Sequence, residues 1–261
     1  METNLTNYIE GAPVKVHVDN VVKKFNGRNG EMVALNGVTL DIHDNEFICV
    51  VGPSGCGKST LLNIIAGLLE PTSGEVYCDG KLVEGTGTDR GVVFQQYALF
   101  PWLTVKKNVR FALEMKGIKG KEADDLAMKY LEKVDLVKFA NHYPKELSGG
   151  MKQRVGIARA YAADPKLLIM DEPFGQLDAQ TRYSMQDEVL RIWESEKRTF
   201  IFVTNNIEEA LYLADRIVLL TNYPAQVKEI YDINLPRPRD TVSPEFLRLR
   251  KIISDNTDLA L

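Results

Sequence analysis

The sequence predicts an α/β fold in which strands alternate with helices, and three observations predict it. Short apolar runs recur at Phe47–Val51, Lys166–Met170 and Thr199–Thr204, each followed by a polar turn and a helix-like stretch. Strands that alternate with helices in this way pair in parallel. The opening segment, Val14–Val22 and Val38–Ile42, is rich in the β-branched residues that strands favour. Between about residues 96 and 160 the composition shifts to Lys, Glu, Ala and Leu at helical spacing, which reads as a mostly helical insertion.

The elements follow in order. Phe47–Val51 is a buried strand that runs into Gly52-Pro53-Ser54-Gly55-Cys56-Gly57-Lys58-Ser59-Thr60, and Ser59–Leu69 continues with apolar residues at helical period until Glu70-Pro71-Thr72-Ser73-Gly74 ends it. Val105–Met115 and Lys121–Val134 read as helices of the insertion, and Gln153–Ala163 as a third. Lys166–Met170 and Thr199–Thr204 return as strands, each followed by a helix, Gln180–Lys197 and Ile207–Ala214. Pro236-Arg237-Pro238-Arg239-Asp240 breaks regular structure, and Pro244–Ser254 has the pattern of a final amphipathic helix.

Composition narrows the function. The 261 residues are 44% hydrophobic and 26% charged, enough to bury a core. The net charge of −4 argues against a nucleic-acid partner, which calls for a basic excess. The three cysteines, Cys49, Cys56 and Cys78, have no paired spacing, and the three histidines are scattered, so neither a disulfide framework nor a zinc site is expected. No apolar run approaches the roughly 18 residues of a membrane span. The N-terminal residues lack the basic and apolar regions of a secretory signal, so the chain is expected in the cytosol.

The loop Gly52–Thr60 fits GxxxxGK[ST], in which glycines let backbone N–H groups converge on phosphate oxygens at a helix N-terminus. Lys58 would reach the outer phosphates, Ser59 would offer its hydroxyl to Mg²⁺, and Thr60 would add a second hydroxyl. Cys56 lies within the loop, where a side chain open to reagents without nucleotide would be shielded by it. A carboxylate is needed for the Mg²⁺ shell, and Asp171 stands at the end of an apolar strand; Glu172 beside it would orient or deprotonate the attacking water.

Leu147-Ser148-Gly149-Gly150-Met151-Lys152-Gln153-Arg154, about twenty residues before Asp171, resembles the signature motif of the ATP-binding cassette family. Ser and Gly before a helix would cap it, and would equally suit a γ-phosphate. The resemblance runs from about Val16 to about Asp240 and implies a P-loop NTPase (RecA-like) core, with an N-terminal antiparallel β subdomain and an inserted α-helical subdomain. It implies an ATPase domain over 14–240, with the core and β subdomain in 14–95 and 160–235, the helical subdomain in about 96–159, and a C-terminal helical tail in 241–261.

It further implies ATP and Mg²⁺ as cofactors. Phe25 matches the aromatic that stacks on adenine, although a core aromatic fits the position too; Gln95 matches the lid glutamine that meets Mg²⁺ and water; Leu177-Asp178 matches the loop at the dimer interface. Ser148, Gly149 and Gly150 would hold the γ-phosphate of nucleotide on the opposite subunit. The pattern departs at Val203-Thr204-Asn205-Asn206, where Asn205 stands in place of a histidine. Asparagine donates a neutral hydrogen bond and never becomes a cation, so rapid hydrolysis is in question.

Phe174–Arg182 and Leu235–Asp240 look most like the nitrate, sulfonate and taurine importer group. The implied partners are membrane-spanning permease subunits, a second ATPase subunit of the same or another kind and, indirectly, a substrate-binding protein. The implied location is the cytoplasmic face of the inner membrane, as a peripheral subunit. An ATP-sensing regulatory subunit with little hydrolysis is the alternative that Asn205 leaves open.

Overall fold

The computed structural model describes residues 11–27, 30–196 and 198–257. In chain order the strands are β1 (Val14–Gly27), β2 (Gly30–His43), β3 (Phe47–Val51), β4 (Ser73–Cys78), β5 (Lys81–Leu82), β6 (Arg90–Val93), β7 (Leu167–Asp171), β8 (Thr199–Thr204), β9 (Arg216–Leu220) and β10 (Val227–Asp232). The helices are α1 (Lys58–Ile65), α2 (Val105–Met115), α3 (Gly120–Lys133), α4 (Gly149–Ala162), α5 (Ala179–Glu196), α6 (Ile207–Leu213) and α7 (Pro244–Asn256). The chain divides into two compact units, Met1–Gly87 with Lys197–Leu261, and Thr88–Glu196.

The first unit holds two sheets. β1 pairs antiparallel with β2 on one side and with β4 on the other, and β5 extends the edge. In the second sheet β3 lies parallel to both β8 and β9, with Val50 opposite Val203 and Val218, and β10 closes the edge antiparallel to β9. Every residue of β3 and β8 is buried. A parallel strand covered on both faces needs a continuous apolar run, and this is why both strands were predicted at the residues they occupy.

The segment after β10 is tied to this sheet by two arginines. Arg237 pairs with the Asp215 carboxylate at 2.7 Å and donates to the Leu213 carbonyl. Arg239 donates to the carbonyls of Leu211, Ala214 and Ile233. The last carbonyls of α6 have no partner within the helix, and cations at this end also oppose its dipole. Burial pulls Arg239 down to about 9, so it remains cationic at neutral pH. The second Asp215 oxygen accepts the Phe47 N–H at 2.9 Å, which links the arginines to the start of β3.

The second unit contains the parallel pair β6–β7 and a helical core. Val105, Val109 and Leu113 of α2 and Ala123, Ala127 and Leu131 of α3 repeat at i+4, and they pack with Val155, Ala158 and Ala162 of α4. Spacing of four places each set on one helical face, so the insertion builds its own core.

Candidate functional site

In the first unit β3 delivers the chain into the glycine loop, and α1 begins at Lys58. The Lys58 side chain is only 4% exposed, and its ammonium donates to the carbonyls of Gly52 at 2.8 Å and Pro53 at 2.9 Å. These bonds hold the lysine against the loop at the head of α1. Gly57, the residue before the helix, has φ +128°, and a methyl group there would lie 2.9 Å from the Ala34 carbonyl oxygen. Only glycine tolerates both conditions. No side chain caps α1. A helix that opens on an uncapped glycine turn presents N–H groups suited to phosphate oxygens. Ser54, Gly55 and Ser59 are exposed and Thr60 is half-buried.

Cys56 corrects an expectation. Its side chain is 0% exposed, and its sulfur packs on Gly52, where an added methyl would lie 3.0 Å from it. The thiol is therefore shielded before any nucleotide binds, and thiol labelling cannot report on nucleotide. Phe25 on β1 is half-buried, with Lys23 Nζ 5.2 Å from the ring centroid, so it is not a core aromatic. Asn205 is exposed immediately beyond β8. The adjacent Asn206 caps α6, accepting the N–H groups of Glu208 at 2.9 Å and Glu209 at 3.2 Å. Capping by Asn206 fixes the backbone of position 205 without using the Asn205 side chain.

The second unit carries the other predicted residues. Asp171 ends β7, and Glu172 follows with φ +41°, an uncommon value for a non-glycine residue that turns its side chain away from the strand's alternation. Both are half-buried. Gln95 Nε2 donates to Glu172 Oε2 at 3.3 Å, so the structure brings together the two side chains expected to serve as lid glutamine and water-activating carboxylate. Asp178 accepts the N–H and hydroxyl of Thr181, and these two bonds hold its carboxyl below the usual range.

Ser148 caps α4, its Oγ accepting the Met151 N–H at 3.3 Å, and as an acceptor there it keeps its own proton to donate. The glycines do not precede the helix as the sequence suggests; Gly149 and Gly150 are its first two residues. Space explains them. A methyl on Gly149 would lie 2.7 Å from the Tyr97 hydroxyl, and one on Gly150 2.6 Å from Thr181 Cγ2. Tyr97 is a contact that sequence reasoning did not find. Phe100 is packed, edge-on to Phe111 and under the Arg159 guanidinium, whereas Trp102 is 69% exposed.

A strand–glycine-loop–helix, a capped Ser-Gly-Gly helix and an Asp-Glu pair at a strand end together narrow the choice of family. The ABC transporter family model matches residues 35–175. The chain belongs to the ATP-binding cassette (ABC) transporter family. Within it, the chain is 55% identical over 240 residues to an uncharacterized ABC transporter ATP-binding protein of Methanocaldococcus jannaschii, covering 92% of this chain and 90% of the relative. It is 45% identical to a nitrate import ATP-binding protein of Synechocystis (90% of this chain, 89% of the relative) and 44% identical to an aliphatic sulfonates import ATP-binding protein of Bacillus cereus (90% and 93%). A solved dimeric ATP-binding cassette, in a post-hydrolysis state with ADP and Pi, superposes with a TM-score of 0.76 at 35% identity, covering 84% of this chain and 98% of that one. This chain is thus an ABC transporter ATP-binding subunit with a P-loop α/β fold, and its relatives include nitrate and sulfonate import subunits. No helix among the described residues is long and apolar enough to cross a membrane.

Proposed function

We propose that this chain binds and hydrolyses Mg-ATP as the nucleotide-binding subunit of an importer, driving uptake of a small anionic solute through separate membrane-spanning subunits. The observation that carries this reading is the buried Lys58 ammonium, held by two loop carbonyls at the head of an uncapped helix. A buried cation beside converging N–H groups is built for a polyanion. The domain follows as 14–240, with its core and β subdomain in 14–95 and 160–235, its helical subdomain in about 96–159, and 241–261 as a tail.

The residues divide the chemistry among them. Gly52, Pro53, Ser54, Gly55, Cys56 and Gly57 shape the loop, Lys58 and Thr60 bind phosphate oxygens, and Phe25 stacks on the base. Ser59, Asp171 and Gln95 would hold Mg²⁺, which would supply neutralisation of phosphate charge. A hydroxyl and one carboxylate suit Mg²⁺, which otherwise keeps water and phosphate ligands. Glu172 orients and deprotonates the attacking water, with Gln95 fixing its carboxylate. Asn205 donates a neutral hydrogen bond toward the γ-phosphate. Ser148, Gly149 and Gly150 bind nucleotide held by a second cassette, and the closed dimer sits against the permease at the cytoplasmic face. A substrate-binding protein acts on the far side, and nucleic acid has no part.

The nitrate and sulfonate importer relatives support a small anion as the solute. Solute-dependent Mg-ATP turnover by the complex purified with its membrane subunits tests this reading: stimulation by nitrate or a sulfonate is expected, and stimulation by neither overturns the solute class. A second reading, a subunit that binds ATP but hydrolyses little, is favoured by the exposed, uncharged Asn205. ATP binding without turnover by such a complex would select it.

A further inference from the structure

Gln153, on α4, is 0% exposed, and neither its Oε1 nor its Nε2 has a hydrogen-bond partner among the described residues. Buried amides are almost always paired, because leaving donor and acceptor unmade forfeits their hydration without return. An apolar side chain of the same volume would fill this place without that penalty. Such departures concentrate at functional sites, where a group left unpaired in one arrangement can be paired in a second.

Its position says what the second arrangement involves. Residues 149, 153 and 156 share one face of an α-helix. A methyl on Gly149 would lie 2.7 Å from the Tyr97 hydroxyl, and one on Gly156 would lie 3.6 Å from the Tyr97 carbonyl oxygen, so Gln153 sits between two points that touch the same lid residue. On its other side Gly150 borders Leu177 and Thr181. The lid segment is clamped downstream: Arg159 donates to the Ala98 carbonyl at 2.8 Å, and Asn108 bonds both the N–H and the carbonyl of Phe100. Upstream β6 is paired with β7 as far as Val93, and between these two anchors Gln95 donates to Glu172 at 3.3 Å. The short stretch 94–97 between these anchors thus borders the helix face that carries the unpaired amide.

The geometry points to Gln153 as a positioning residue: when nucleotide draws Gln95 and Glu172 into place, the backbone of the lid segment at 94–97 pairs with the buried Gln153 amide, which locks the glutamine and the carboxylate in register. This rests on the Mg-ATP reading above. Binding energy gained only in the nucleotide-bound arrangement biases the equilibrium toward it.

Hydrogen exchange of the full-length chain, with and without Mg-ATP, tests it in wild type and Gln153→Met. In wild type, Mg-ATP should slow exchange both in the 52–60 loop and in the 94–98 segment. In Gln153→Met the loop protection should persist, while the added protection of 94–98 falls by about fivefold, the worth of one net hydrogen bond. The thermal midpoint without nucleotide should stay level or rise. Equal lid protection in both proteins overturns the proposal, as does a wild type whose loop is protected and whose lid is not, and the latter holds even if the variant does not fold. Absence of protection in the 52–60 loop would sink the Mg-ATP reading instead.

Discussion

Replacing Lys58 with methionine removes the ammonium and keeps most of the side-chain volume. In the folded protein the ammonium makes two charge-assisted bonds, at 2.8 and 2.9 Å, while 4% exposed. On the proposed reading its positive charge is what phosphate meets. A hydrogen bond to a charged group is worth about 1.5–3 kcal/mol, so Lys58→Met should weaken ATP binding by about 10- to 150-fold. Stability should change less, because removal of a buried charge offsets the two carbonyls left without a donor. Equilibrium titration with a fluorescent ATP analogue in Mg²⁺, paired with thermal denaturation, measures both. A dissociation constant within about threefold of wild type, in a folded variant, would refute the placement of Lys58 at the phosphates.

Asn205→His should raise turnover by at least about tenfold, since one preorganised donor at a transition state is worth about 10²–10³ and the amide supplies part of it. The thermal midpoint should hold, because Asn206 rather than Asn205 caps α6; an unchanged turnover number would mean the amide serves as well as an imidazole. Arg239→Met should destabilise the fold by about 1–3 kcal/mol, because the Leu211, Ala214 and Ile233 carbonyls lose their donor while a costly buried charge is removed. Chemical denaturation reads this directly, and a loss under about 1 kcal/mol would mean the α6 carbonyls find other donors.

Much of the fold was legible because its central strands are buried on both faces. Phe47–Val51 and Thr199–Thr204 are unbroken apolar runs, and the structure begins and ends them at the residues the pattern gives. The sequence pattern predicts no strand over β4, β6 or β10. β4 buries only Val76 and Cys78, β6 is four residues long, and β10 is an edge strand with no buried residue, so none carries a strong apolar signal. β9, with Ile217–Leu220 buried, was within reach of the same reading as β3. The start of α4 eluded propensity, because glycines are poor helix formers and here open the helix for reasons of space.

The site divides along the same line. The glycine loop, Asp171 and Glu172 are local patterns with a stated chemistry, whereas Ser148 and Gln95 stand out through the family resemblance, and the Gln95–Glu172 contact joins residues 77 apart that no local pattern links. Cys56's burial, the lodging of Tyr97 on Gly149 and the unpaired Gln153 amide depend on what packs from elsewhere in the chain, which spacing along one segment does not encode.

On the proposed reading this chain hydrolyses ATP with Glu172 acting on the water. Steady-state Mg-ATP turnover of the complex with its membrane subunits, wild type against Glu172→Gln, tests it most directly. A fall of at least about a hundredfold with ATP affinity retained is predicted, because glutamine keeps the shape and the Gln95 contact but cannot take a proton. Equal turnover in the two complexes would contradict it and assign hydrolysis to another site.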